Sequence, residues 1–307
     1  MSLVDDVRSA CAWVADRASS VRIAHERIED YAHSLPVLAR DLGPDPELAW
    51  LEGPREARAA FALTLNAVNF GSGWWPEIRK RPGASGFTTM ALGLREHFAE
   101  HGPWRAADLA EMSASEVATT LGQEPEHELM ALYAASVRDL GRRVSEDHGE
   151  SFAAVADAAG GSALALVERL AGWDCFADVS SYRGRSVPFL KRAQLACADL
   201  HHAGAASFGD LDRLTLFADN LIAHVLRVDG VLTYNAGLLA RIDAGELLVH
   251  GSEEEVEIRA CGVEAVELMT RARPELTAQA FDHLLWNRGR AERYKTRPRH
   301  RARSTAY

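Results

Sequence analysis

The segment Leu214-Thr-Leu-Phe-Ala-Asp-Asn-Leu-Ile-Ala-His-Val-Leu-Arg-Val-Asp229 joins an apolar run to an amphipathic run through a single aspartate, Asp219. After this aspartate, apolar residues recur at the spacing of one helix face: Leu221, Ile222, Val225 and Leu226. An aspartate at such a junction is typical of an N-cap, where the carboxylate accepts hydrogen bonds from free backbone N–H groups. We therefore predict a helix that begins after Asp219, with the carboxylate kept ionised by the positive end of the helix dipole.

A second helix is predicted upstream, over residues 187–203, with Ser186 as its N-cap and Pro188 in its first turn. Its buried face is an apolar stripe made by Phe189, Ala193, Ala196, Cys197 and Leu200. Arg192 and Asp199 lie seven residues apart and project on the margin of this stripe. Asp199 is then either an ordinary surface charge or a half-buried acceptor for the N–H groups of a ligand.

The composition of the whole chain favours helices, because alanine, leucine, arginine and glutamate dominate and alternating Val/Ile/Thr runs are scarce. We predict a mainly α fold: a single compact, two-lobed helical domain over residues 1–287 and a basic C-terminal tail over 288–307. The loop-rich stretches near 70–86 and 172–186 are where the lobes are expected to meet, and a cleft between lobes is a usual site for a small ligand.

Other local signals refine this prediction. Helices are expected over 209–217, over 252–272 behind a Ser252/Glu255 capping box, and over 274–290 with Pro274 in the first turn. Short extended pieces are expected near 179–183 and 247–250.

Charge is distributed unevenly along the chain, whose formal net charge is −10. Residues 288–307 hold eight of the 34 Lys and Arg residues and one acid, Glu292, so the rest of the chain is strongly acidic. Affinity for a nucleic-acid backbone comes mostly from cationic contacts, so we expect no stable nucleic-acid partner. The tail is either a solvated end or a seat for one phosphate or a short piece of RNA.

Several classes of protein are disfavoured by the sequence. No run of about 18 apolar residues is present, and the N-terminal residues lack a basic start followed by an apolar stretch, so we expect a cytoplasmic protein without a membrane partner. The four cysteines are too far apart for a zinc site and are expected to be buried free thiols: Cys11, Cys175, Cys197 and Cys261. We expect neither a metal nor a cofactor.

The order helix, short connector, then two apolar residues, aspartate and helix resembles the helix-hairpin-helix superfamily of DNA glycosylases. In that superfamily the catalytic aspartate opens a helix in this way. The resemblance implies a helix-hairpin-helix DNA glycosylase fold with Asp219 as the catalytic residue. Lys191 is a candidate counterpart of the lysine that some members of the superfamily carry upstream.

A second resemblance covers most of the chain. Five blocks follow the order and rough spacing of the queuosine salvage family: residues 65–74, 189–199, 214–219, 255–260 and 281–286. That family is similar to DNA glycosylases in fold and releases queuine from queuosine 5'-monophosphate. The chain departs from the family at Gly71-Ser72-Gly73, where bulkier residues are expected, and in the segment after Trp286.

The second resemblance implies a role for each matched residue. Asp219 becomes the catalytic carboxylate, acting as nucleophile or as stabiliser of an oxocarbenium-like transition state. Asp199, together with the backbone of Ala198, is implied to hold the base. The late acid of the family falls on Asp282, and an early histidine that touches the ligand falls on His25.

Further candidate binding residues follow from the chemistry of the implied substrate. A 5'-phosphate needs a cationic seat, for which Lys191 ranks first, followed by Arg192, Arg259 and the 288–303 tail. Asn69 and Phe70 are candidate substrate-binding residues in the first matched block. Either core packing or stacking on the flat base explains the aromatic residues near these blocks: Phe70, Trp74, Trp75 and Trp286.

Two other functions stay open. The chain could be a DNA glycosylase for damaged bases, although its acidic body disfavours duplex binding. It could also be a non-catalytic helical adaptor whose basic tail docks onto RNA.

Overall fold

Helices dominate the computed structural model, in which residues 2–37 and 45–307 are described. Their bounds are α1 (Leu3–Ala15), α2 (Ile28–Ser34), α3 (Arg55–Ala67), α4 (Gly86–His101), α5 (Ala106–Ala110), α6 (Ala114–Leu121), α7 (Glu128–His148), α8 (Phe152–Asp157), α9 (Ala163–Ala171), α10 (Lys191–His202), α11 (Asn220–Val228), α12 (Ala236–Asp243), α13 (Glu253–Ala272), α14 (Ala278–Arg288) and α15 (Glu292–Lys295). The predicted mainly α class is confirmed.

Strands are short and form two antiparallel pairs within the described residues. Strand β1 (Val21–Ile23) pairs with β4 (Leu232–Tyr234), with Val21 opposite Tyr234. Strand β2 (Val179–Tyr182) pairs with β3 (Arg185–Pro188), so the extended piece expected near 179–183 is present. Near 247–250 the backbone makes only an isolated bridge, between Leu248 and Ala302.

One large hydrophobic core holds the helices of the described residues together as one compact domain, and a small second cluster is formed by Ala302, Ala306 and Tyr307. Helix α13 lies near its centre and packs against α1, α2, α11 and α14, while α3 packs against α7, α8 and α10. The apolar stripe predicted on α10 is buried. All four cysteines are buried and unpaired, as expected.

The N-cap predicted at Asp219 is confirmed. Its Oδ1 accepts hydrogen bonds from the backbone N–H groups of Leu221 at 2.8 Å and Ile222 at 3.0 Å. The backbone of Asp219 is extended, and α11 begins at the next residue. The sequence predicted this start because the capping residue and the amphipathic run are adjacent in the chain.

The start predicted for α10 is wrong. Ser186 and Pro188 lie in β3, paired with β2, and the helix begins only at Lys191 after a left-handed Leu190. Asp178 holds this start: its carboxylate accepts the Lys191 N–H at 2.9 Å, and its carbonyl accepts the Phe189 N–H at 3.0 Å. The helix start is therefore fixed by a tertiary contact rather than by a local cap.

Three other local predictions also differ from the structure. Residues 209–217 contain one 3-10 turn, Leu211–Arg213, followed by extended chain that Gln194 holds through hydrogen bonds to Thr215. Helix α14 begins after a Thr277 N-cap, which leaves Pro274 in the preceding turn. At α13 the Glu255 carboxylate accepts from the Gly251 N–H rather than from Ser252, so half of the predicted capping box forms.

Residues 292–307, here called the C-terminal strap, pack onto the domain. Tyr294, His300, Ala302 and Tyr307 are buried. A Cβ added to Gly73 would lie 2.5 Å from the carbonyl oxygen of Ala302, so the small residue at this departure from the family pattern admits the strap. No helix within the described ranges has the length and apolarity needed to cross a membrane.

Candidate active site

Asp219 lies on the wall of a cavity of about 730 Å³. This volume falls in the range of roughly 300–1,000 Å³ that is usual for pockets holding drug-sized ligands. The wall comes from α3, α10, α11, α14, the loop before α4 and the strap. Five of the predicted site residues line it: Asn69, Lys191, Asp199, Asp219 and Asp282.

The backbone on both sides of Asp219 is fixed. Downstream, the carboxylate caps α11; upstream, the Arg259 Nε–H donates to the Ala218 carbonyl at 3.0 Å. Asp219 itself is partly exposed, toward the cavity. A carboxylate held in one orientation at the wall of a cavity can act on a bound ligand without reorganising.

Lys191 lies close enough to Asp219 for their charges to interact. Its Nζ donates to the Asn69 carbonyl at 3.0 Å, and the side chain is buried. Burial lowers the pKa of Lys191 to about 8, and the negative charge of Asp219 opposes that shift. Lys191 therefore supplies positive charge near Asp199, Asp219 and Asp282, here called the carboxylate cluster.

Asp282, on α14, lies close enough to Asp219 for the two carboxylates to repel each other. It is buried and accepts the Phe217 N–H at 3.3 Å. Burial raises the pKa of Asp282 well above its ordinary value, and the like charge of Asp219 raises it further. This pair of carboxylates favours a state in which Asp282 holds a proton.

Asp199, on α10, is partly exposed on the cavity wall and accepts one side-chain hydrogen bond within the described residues. The Asn66 Nδ2–H donates to its Oδ2 at 2.7 Å. Burial raises the pKa of the Asp199 carboxyl to about 6, an effect that the Asn66 hydrogen bond and the charge of Lys191 oppose. The remaining oxygen can accept an N–H from a ligand.

The sequence interpretation missed Asn66, which orients Asp199 and also donates to the Ala62 carbonyl at 3.0 Å. Asn66 is fully buried in α3, within an otherwise apolar run. A polar amide in such a run needs a partner, and that signal was available in the sequence.

The predicted aromatic residues divide into two groups. Trp75 and Trp286 line the cavity, where a flat heterocycle can stack. Trp74 lies outside it and donates through Nε1 to Glu128 at 2.7 Å. Phe70 is buried edge-to-face against Tyr133, with ring centres 4.9 Å apart, so core packing explains it.

Four further candidates do not line the cavity. His25 is exposed in a 3-10 turn before α2, and Ala198 is buried within α10. Arg192 donates to the Ala67 carbonyl at 2.8 Å, and Arg259 pairs with Asp178. Both arginines are buried in the core, where Arg192 donates to a backbone carbonyl and Arg259 donates to a carbonyl and to a carboxylate.

The strap brings cations to the cavity instead. Lys295, Arg297, Arg299 and Arg301 line one side of it. Arg299 lies near enough to Asp219 for the two charges to interact. The cavity thus has a carboxylate cluster, an aromatic wall and a basic side.

Comparisons with known proteins relate this arrangement to one family. A family model described as queuosine salvage protein matches residues 51–307. A Sphaerobacter thermophilus protein named queuosine 5'-phosphate N-glycosylase/hydrolase is 36% identical, over 96% of this chain and 95% of its own length. A Dictyostelium discoideum protein of the same name is 28% identical, over 98% of both chains. A Mus musculus protein of that name is 30% identical over 56% of each chain.

Proposed function

The chain belongs to the queuosine salvage protein family, and we propose that it hydrolyses the N-glycosidic bond of queuosine 5'-monophosphate. The products are queuine and ribose 5-phosphate. The names of the relatives support this reaction, since they are called queuosine 5'-phosphate N-glycosylase/hydrolases. The observation that carries the proposal is the fixed Asp219 carboxylate on the wall of a cavity large enough for a nucleotide.

The base lies against Asp199 in this proposal. Queuine is a 7-deazaguanine, and its guanine-like edge offers N–H donors that the Asp199 carboxylate can accept. Asn66 holds one oxygen of Asp199 and leaves the other for the base. Stacking on Trp75 or Trp286 contributes roughly 1–3 kcal/mol for a base.

The ribose lies against Asp219 in this proposal. Breaking the bond between the base nitrogen and C1' leaves positive charge on the ribose, which a fixed anion stabilises more in the transition state than in the ground state. The hydrogen bonds from Leu221 and Ile222 hold one oxygen of Asp219. In the part of the chain that the structure describes, the second oxygen makes no hydrogen bond, which leaves it to approach C1'.

Asp282 is the proton donor in this scheme. The electron pair of the broken bond stays on the base, which takes the proton of Asp282 and leaves as queuine with an uncharged ring system. A water oxygen then bonds to C1' and gives its proton to the carboxylate pair, which restores the starting state. The raised pKa of Asp282, caused by burial and by the charge of Asp219, supports this role.

The proposal is tested by product analysis. We expect mass spectrometry to find queuine and ribose 5-phosphate after incubation with queuosine 5'-monophosphate. Guanosine 5'-monophosphate, which lacks the cyclopentenediol arm, serves as the control for base selectivity. If folded protein releases no queuine from the nucleoside or from either its 5'- or its 3'-monophosphate, the proposed reaction is wrong.

A further inference from the structure

The eight basic residues of the 288–303 segment fall into two sets. In the first set each arginine is paired with a carboxylate. Arg288 and Arg293 pair with Asp229, Arg290 pairs with Asp45 at 2.9 Å, and Arg303 pairs with Glu77 at 2.8 Å and Glu128 at 3.2 Å. These ion pairs hold the segment against the rest of the chain, which supplies the carboxylates.

The second set consists of Lys295, Arg297, Arg299 and Arg301, all of which line the cavity. Within residues 2–37 and 45–307, none of the four forms an ion pair. Arg301 makes a long hydrogen bond to the Gly245 carbonyl at 3.5 Å, and Arg299 makes no hydrogen bond in the same ranges. The four unpaired cations follow one another along the chain, with paired arginines on both sides, so general basicity of the tail does not explain the difference.

Positive charge accumulates on this side of the cavity. Lys80 lies close to Arg299 and Arg301, whose charges add to burial in lowering the pKa of Lys80. Arg299 is partly buried; burial lowers its pKa, the charge of Asp219 opposes that shift, and the charge of Arg301 adds to it. Repulsion between these positive charges raises the free energy of the empty site, and a bound anion offsets that repulsion.

The helix that begins after Asp219 also positions these cations. The Asn220 Nδ2–H donates to the His300 carbonyl at 3.1 Å, and His224 Nε2 makes a hydrogen bond with the Tyr294 carbonyl at 2.8 Å. On the other side, the Leu248 N–H donates to the Arg301 carbonyl at 2.8 Å. The backbone on both sides of Arg299 is therefore fixed relative to Asp219.

We propose that Arg299, with Arg297 and Arg301 beside it, seats the 5'-phosphate of the nucleotide whose C1' lies against Asp219. This inference rests on the proposed function and names the group that selects a monophosphate over a nucleoside. Guanidinium groups suit the task, because their planar N–H forks match phosphate oxygens. Lys191, which ranked first for this role from sequence, donates to Asn69 and lies within the carboxylate cluster instead.

Steady-state kinetics of Arg299→Gln tests the seat. The quantity to compare is the preference of the enzyme, given by kcat/KM for queuosine 5'-monophosphate divided by kcat/KM for queuosine. We expect this ratio to fall about ten- to a hundredfold, the loss typical of one charged hydrogen-bonding group. Arg303→Gln is the matched control, since it removes a paired arginine of the same strap, and its ratio should stay at the wild-type value.

Calorimetry with ribose 5-phosphate as the probe separates the seat from the reaction. Binding to the wild type and loss of that binding in Arg299→Gln support the seat, even if the wild type releases no queuine and the proposed reaction fails. If the wild type releases queuine while Arg299→Gln keeps both the substrate preference and ribose 5-phosphate binding, the seat is wrong. Matching circular dichroism melts ensure that the variants are compared as folded proteins.

Discussion

Asp199 and Asp219 line the same cavity, but their surroundings suit them to different tasks. Asp199 receives a hydrogen bond from Asn66, and burial raises its pKa to about 6. Asp219 receives two backbone N–H groups at the start of α11. The first is suited to accept N–H groups from a neutral base, and the second to face positive charge that develops on a sugar.

Queuine binding should depend on the protonation of Asp199. Because its pKa is raised to about 6, the accepting carboxylate is present above that pH and is lost as the pH falls through it. Calorimetry should therefore show the Kd for queuine rising about tenfold per pH unit below the pKa, as expected for a single titrating group. Free queuine carries no phosphate whose own titration would obscure the result.

Asp199→Asn is the control for this experiment. It should bind queuine more weakly, and the residual affinity should not change across the same pH range. Wild-type affinity that stays constant between about pH 5 and pH 7 would exclude Asp199 as the acceptor, given the usual sharpness of one titration.

At the level of single residues, sequence predicted what depends on local pattern. Asp219 was recognisable because its cap and its helix are adjacent. The position of Asn66 in α3 indicates that its amide needs a partner, but the sequence does not show which one, because Asp199 is 133 positions away. His25 was assigned through the family resemblance, and the structure leaves it exposed outside the cavity.

Among the elements, the C-terminal strap depends on two buried histidines. His224 donates its Nε2–H to the Tyr294 carbonyl, and both ring nitrogens of His300 are buried without a hydrogen bond in the described chain. Burial lowers the pKa of His224 to about 4 and that of His300 to about 3. Arg227 and Arg299 add positive charge near both rings, and Glu255 opposes the shift at His300.

Acidification should therefore loosen the strap. A histidine whose folded pKa is lowered stabilises the fold fully above its unfolded value near 6.5, and this contribution is lost as the pH falls toward the folded value. Hydrogen exchange, corrected for intrinsic rates, should show that protection over 292–307 decreases below about pH 6 before that of α7 does. Equal protection of the two segments down to about pH 4 would contradict this account.

Helix bounds were predicted correctly where local sequence determines them, and wrongly where a tertiary contact does. The bounds of α11 were predictable because cap and amphipathic run are contiguous. The start of α10 was not, since Asp178 and the pairing of β3 with β2 override the propensity of Ser186 and Pro188 for a helix start. The helix expected over 209–217 gave way to extended chain because Gln194 binds Thr215 across 21 positions.

At the scale of the whole molecule, the buried Arg259–Asp178 ion pair links the hydrophobic core to the cavity wall at Asp219. Arg259 donates to both oxygens of Asp178 at 2.8 Å and to the Ala218 carbonyl beside Asp219. Asp178 in turn holds the start of α10, which carries Lys191. One pair thus links α13, α10 and the segment before α11.

Arg259→Leu should destabilise the fold by about 3–5 kcal/mol, since it leaves the Asp178 charge buried without its partner. The free energy of unfolding from urea titration measures this loss. Arg271→Leu is a control on the same helix: Arg271 is exposed and pairs with Glu264, so its loss should cost about 1 kcal/mol or less. Similar costs for the two variants would show that the buried pair has no special role.

The mainly α class of the whole molecule was predictable from composition and periodicity. The position of the basic tail was not, because charge counts do not reveal which cations meet carboxylates. Arg290 and Arg303 reach Asp45 and Glu77, more than 200 positions away, and these contacts bring the unpaired arginines to the cavity. The basic side of the site is therefore a property of tertiary packing.

The most direct test of the central claim is single-turnover hydrolysis of queuosine 5'-monophosphate by Asp219→Asn. Asparagine is as good an N-cap as aspartate, so the unfolding free energy should stay within about 0.5 kcal/mol of the wild type. With the anion gone, the chemical step should slow by about a hundredfold or more while queuine still binds. A folded Asp219→Asn variant that releases queuine at the wild-type rate would contradict the account.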